Sequence, residues 1–125
     1  MKVRTTRKEF LATYTKKDEA TLAYFIGDLE NYELSYPEVH KRFNKIYNKN
    51  LVSKKDIYET QFPKIYSTLY NYIINGVKVQ FYSKNPKLDR TTMHYPSTIR
   101  VQGLGKNIEK LVKNMKKRFH MESYI

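Results

Sequence analysis

The stretch from Ser53 to Gly76, SKKDIYETQFPKIYSTLYNYIING, constrains the fold more than any other, because two short helix-like segments meet there at Phe62-Pro63. Ser53 followed by Asp56 has the form of a capped helix start, and Ile57 and Tyr58 supply apolar contacts. Pro63 suits the first turn of a new helix, and Asn75-Gly76 tolerate the left-handed backbone found just past a helix end. At about 100 degrees per residue, Ile65, Leu69, Tyr72 and Ile73 share one side of the second segment with Tyr66. Lys64, Ser67, Thr68, Asn71 and Asn75 occupy the opposite arc, which contains no acid.

This layout predicts a helix-turn-helix over residues 53–76 and makes nucleic acid the leading ligand class. Asn bonds both N6 and N7 of adenine, Ser and Thr reach several base edges, and Lys takes a phosphate or a guanine. The alternative is a surface helix that is simply polar on its outer side.

Upstream, residues 1–14 form either a basic arm or an edge strand tied down by Phe10, Leu11 and Tyr14. Thr15 with Asp18 resembles a capping box, and Leu22, Ala23, Ile26 and Leu29 recur at helical spacing, predicting a first helix up to about Tyr32. Ser35 with Glu38 around Pro37 predicts a second, ending near residues 48–50, with Val39, Phe43 and Ile46 turned inward.

After Gly76 the period changes from helical to two. Val77, Val79 and Phe81 alternate with Lys78, Gln80 and Tyr82, and Ile99 and Val101 alternate with Arg100 and Gln102, predicting two strands within 77–102 that can pair as a hairpin. Their long connection carries Lys84, Lys87 and Arg90. A hairpin following a candidate recognition helix resembles the winged-helix family. That resemblance implies a basic wing against the nucleic-acid backbone; a loop merely spanning the surface is the alternative. Gly103-Leu104-Gly105-Lys106-Asn107 lacks the spacing and terminal Ser or Thr of a P-loop, so its glycines are read as turning the chain. Over 106–121 a final amphipathic helix sets Ile108, Leu111, Val112, Met115 and Phe119 against Lys110, Lys113, Lys116, Lys117 and Arg118. Its apolar arc packs in the chain's own core, in a homodimer, or, less suitably, on a membrane surface. The expected fold is thus one mainly helical α+β domain over 1–125, with a helical part at 15–76.

Charge supports the ligand class. Of a net +12, residues 1–60 carry 12 basic and 9 acidic side chains, whereas residues 61–125 carry 12 basic and 3 acidic, a net of +9. Such a field attracts polyanions and gives affinity and salt dependence without a sequence code. Lys outnumbers Arg 18 to 6 and there are 12 Tyr, as coding from an AT-rich genome produces, so these rings either stack on bases or only pack. With no Cys there is no disulfide or thiolate metal site, and no run approaches the roughly 20 apolar residues of a membrane span. The chain is expected to be cytoplasmic, away from membranes.

His40, His94 and His120 fall in separate segments without ligand spacing, and Ser53, Ser67 and Thr68 have no His–acid partner nearby in sequence. No catalytic residue, metal or cofactor is expected, and the chain is not expected to be an enzyme. The leading function is a small basic DNA-binding regulator of a phage, plasmid or low-GC bacterium. It would read duplex DNA through Lys64, Ser67, Thr68, Asn71 and Asn75, with Lys84, Lys87, Arg90 and Arg100 supporting. Alternatives are a phage or mobile-element inhibitor of a host protein or nucleoprotein, of the anti-CRISPR type, and an RNA-binding protein.

Overall fold

A computed structural model of the protein describes residues 18–29, 36–59, 65–84 and 97–123. The chain forms β1 (Glu19–Asp28), α1 (Tyr36–Tyr47) with a 3-10 turn (Asn48–Asn50), β2 (Leu51–Glu59), β3 (Ile65–Ile74), β4 (Val77–Lys84), β5 (Ser97–Leu104), α2 (Gly105–Met115) and β6 (Phe119–Ser123). The strands make one six-stranded antiparallel sheet in the order β2-β3-β4-β5-β1-β6. Both helices rest on the same face, giving a two-layer domain around one core.

This overturns the mainly helical winged-helix expectation. Residues 53–76 hold β2 and β3, paired with each other from Ser53↔Asn71 to Glu59↔Ile65, and the Phe62-Pro63 junction lies outside the described residues. Of the ten residues of β3, seven are β-branched or aromatic, a composition that fits a pleated surface better than a helix. Tyr70, Tyr72 and Ile74 point to the helices while Leu69, Asn71 and Ile73 point away. Asn75-Gly76 is a hairpin turn rather than a helix end. With Ile74 paired to Val77, Asn75 (φ 50) and Gly76 (φ 79) are the two central residues, both at the positive φ that a two-residue turn of type I′ demands.

The first expected helix is also a strand. Leu22, Tyr24 and Ile26 alternate into the core and pair β1 with β5 and β6. The second helix and the strands at 77–84 and 97–104 stand as expected, and the latter two pair antiparallel. On α1, however, Tyr47 is buried and Ile46 exposed. The last helix stops at Met115, and Phe119 belongs to β6. Ile108, Leu111, Val112, Met115 and Phe119, offered as a dimer or partner face, are all buried in the chain's own core.

The core is dense in aromatic rings. Phe43 of α1 lies with its ring centroid 5.1 Å from Tyr72, 5.0 Å from Phe81 and 5.8 Å from Phe119, so one helical side chain ties together β3, β4 and β6. At the end of β1, buried Asp28 pairs with Arg42 of α1 and fixes the helix against the sheet. Edge strand β2 carries Lys54 and Lys55, charges that discourage another strand from pairing there.

Candidate nucleic-acid interface

Two surfaces of this fold gather basic and amide side chains, and they meet at the Asn75-Gly76 turn. The first lies on the outer side of α2. Burial of Ile108, Leu111, Val112 and Met115 forces the residues between them outward, so Lys106, Lys110, Lys113 and Lys117 form one stripe at i, i+4, i+7 and i+11. Beside the stripe lies a cleft of about 590 Å³ lined by Asn75, Asn107, Lys110, Leu111, Lys113, Asn114 and Lys117. Three lysines and three asparagines line it, and no acid is in the lining. Glu109 is the one acid of α2, against Lys106, Lys110 and Lys113 within the helix and Lys116, Lys117 and Arg118 in the following turn. The helix start adds no phosphate loop: the Gly105 amide donates to the Asp18 carbonyl at 2.9 Å.

The second surface is the sheet face away from the helices. Register aligns Ser53, Asn71, Gln80 and Arg100 in one row across β2 to β5, and Lys55, Leu69, Tyr82 and Thr98 in the next. Ser53, Asn71 and Gln80 of the first row are bonded side chain to side chain, and Tyr82 joins them from the second row. Asn71 Nδ2 donates to Ser53 Oγ at 3.1 Å, Gln80 Nε2 donates to Asn71 Oδ1 at 3.3 Å, and the Tyr82 hydroxyl reaches Gln80 Oε1 at 3.5 Å. Each amide therefore spends one of its two N–H donors inside the ladder. Strands β3, β4 and β5 contain no Asp or Glu, and Lys78 and Arg100 are exposed. At the far margin on β6, Glu122 is paired with His120 at 3.0 Å.

The residues expected to read nucleic acid are redistributed. Asn71 and Arg100 flank Gln80 in one register row of the open face, and Asn75 joins the α2 cleft. Ser67 and Lys84 are register partners on β3 and β4. Thr68 lies on the opposite side from Asn71, with its hydroxyl donating to Asp56 Oδ1 at 3.0 Å, so it cannot share a reading face with it. Lys64, Lys87 and Arg90 lie outside the described residues. Sequence reasoning missed Gln80 and Tyr82 as a pair with Asn71; recognising Asn75-Gly76 as a hairpin turn would have placed them opposite Asn71 and Leu69.

The helix-covered face holds a separate polar cluster. His40 stacks on Tyr70 at 3.5 Å between ring centroids, its Nε2–H donates to the Tyr72 hydroxyl at 2.8 Å, and that hydroxyl donates to Asn44 Oδ1 at 2.9 Å. Burial first, and the nearby Lys54 ammonium second, push the His40 pKa down to about 4. Burial, then neighbouring Tyr70, raises the Tyr72 pKa well above the usual phenol range. A neutral His and a neutral phenol that bond each other in the core act as packing. Among the described residues, no group of three or more His, Asp or Glu side chains is placed to hold a metal ion, and no helix is long and apolar enough to cross a membrane. Comparison with protein-family models, with curated proteins and with solved structures returns no match for this chain.

Proposed function

We propose that this chain is a basic nucleic-acid-binding protein that holds phosphates of its ligand in the cleft between α2 and the β3–β4 turn. The observation that carries the reading is the lining of that cleft, in which Lys110, Lys113 and Lys117 converge with Asn75, Asn107 and Asn114 and no carboxylate. Ammonium groups one helical turn apart repel one another by roughly 0.2–0.5 kcal/mol per pair, and a phosphate between them reverses the sign of that interaction. The amides add donors that bond phosphate oxygens without adding charge. A contact of this kind reads charge and spacing rather than base sequence, and a net charge of +12 extends its attraction beyond the cleft. The helix-turn-helix route to duplex sequence plays no part, since its recognition helix is strand β3.

The test is an amide chemical-shift titration of isotope-labelled protein with a 16-nucleotide oligonucleotide, single-stranded and duplex. Shifts concentrated at Asn75, Gly76 and residues 106–117 are expected. Binding that leaves those amides unmoved, or no binding at low salt, contradicts the reading.

A further inference from the structure

The open face of the sheet, on which Leu69 is buried, Asn71, Gln80 and Tyr82 are half-buried and Lys78 and Arg100 are exposed, differs from an ordinary solvated face in three respects. Its polar side chains are bonded to one another across strands, its three central strands lack any acid, and a tyrosine ring stands at the end of the bonded row. It also adjoins the cleft: Asn75 lines the cleft, and the register pair Ile73↔Lys78 on the open face lies next to the Ile74↔Val77 pair that closes the turn.

Size decides which nucleic acid this face can read. Six strands at about 4.8 Å spacing span about 24 Å, twice the roughly 12 Å width of a B-DNA major groove, so the whole sheet does not fit an undistorted duplex groove. The β3–β4 tip offers no substitute, because the position of a Gly76 side chain lies 3.9 Å from Asn107 of α2 and the turn is packed against that helix. Bases splayed from a single strand can meet this face without deforming a duplex, since every base presents a π-face to an aromatic ring and its pairing edge to amide donors.

We propose that the open face contacts the bases of a single-stranded nucleic acid whose phosphates lie in the α2 cleft. Tyr82 is the stacking ring, Asn71 and Gln80 offer their remaining N–H donors to base edges, and Lys78 and Arg100 border the path. The ladder holds both amides in fixed orientation before the ligand arrives, which lowers the ordering cost of binding. Acceptance of DNA or RNA follows from the shared base chemistry. This assignment rests on the reading of the cleft as a phosphate site.

The experiment measures fluorescence anisotropy with a labelled 20-nucleotide single-stranded DNA, the RNA of the same sequence and the matching 20-base-pair duplex, for wild type, Tyr82→Ala, Tyr82→Phe and the triple variant Lys110→Ala/Lys113→Ala/Lys117→Ala. At least one single-stranded form is expected to bind tenfold or more tighter than duplex. Tyr82→Ala is expected to weaken that form by roughly 5- to 100-fold with duplex unchanged, and Tyr82→Phe to retain it. Duplex binding as tight as single-strand binding, with Tyr82→Ala indifferent and the triple variant impaired, overturns this assignment while the cleft reading stands. No binding to any of the three overturns both. A second measurement, independent of how Tyr82→Ala folds, is photocrosslinking of wild type to a single strand carrying 5-iodouracil. Crosslinks within residues 77–84 are expected, and crosslinks confined to residues 105–117 overturn the assignment.

Discussion

The two faces of the sheet use the same strands and similar hydrogen-bonding groups to opposite ends. On the covered face the polar atoms of His40, Tyr72 and Asn44 close on one another in a single chain of bonds, sealed among Phe43, Tyr70 and Phe81. On the open face Ser53, Asn71, Gln80 and Tyr82 bond in a row as well, yet each amide keeps an N–H donor in reserve. The covered cluster is buried and its His and phenol are neutral, whereas the open-face row borders the exposed cations Lys78 and Arg100. The contrast teaches that cross-strand polar contacts are not by themselves evidence of function; exposure and the charges around them separate the two faces.

The largest effect that separates the faces is on stability. Phe43→Ala removes the ring touching Tyr72, Phe81 and Phe119 and is expected to cost about 3–5 kcal/mol in urea unfolding. A loss under about 1 kcal/mol would show that the covered face is not the structural core described.

Next is the pH response of the covered face. Folding holds the His40 pKa at about 4 against 6.5 in the unfolded chain, so between these values the unfolded state binds the proton and the folded state does not. Stability is therefore full above pH 6.5 and declines as pH falls toward 4, by at most about 3 kcal/mol from this residue. Urea midpoints of wild type and His40→Phe at pH 7, 5.5 and 4 check it: the wild-type curve should fall more steeply, and parallel curves would contradict a neutral, buried His40.

The smallest effect belongs to the open face. Gln80→Ala breaks the ladder where water replaces the lost partners, and is expected to cost less than about 1 kcal/mol. A cost approaching that of Phe43→Ala would make this face structural rather than a surface held ready for a ligand.

What the sequence disclosed follows from which patterns are unambiguous. Val77, Val79 and Phe81 alternate without competing helical spacing, and Ile108, Leu111, Val112 and Met115 have no period-two reading, so β4 and the buried arc of α2 are legible. In β1, Leu22 and Ile26 satisfy both a helical i, i+4 step and a strand's i, i+4; Tyr24 settles the matter only once its burial is known. Ser53 and Asp56 mimic helix caps, but in the fold Ser53 accepts from Asn71 and Asp56 from Thr68 across the strands, contacts invisible without register. Asn75-Gly76 fits a helix end and a type I′ hairpin equally well at the level of φ, and the β-branched and aromatic residues before it favoured the hairpin. That one turn moved Asn71 from a recognition helix to a sheet row, and with it the partners of the candidate site. The α2 lysines were visible as a basic face, while their convergence with Asn75 needed the hairpin to bring the turn alongside.

The central claim is that the α2 cleft carries the phosphate contacts, and salt dependence tests it most directly. For a single-stranded oligonucleotide, log affinity against log salt has a slope of about −0.7 per phosphate neutralised. Measured for wild type and for Lys110→Ala/Lys113→Ala/Lys117→Ala, the slope is predicted to shrink by about two in the variant, the loss of three phosphate contacts. An unchanged slope, whatever the affinity, would show that these lysines face solvent and that the phosphates bind elsewhere.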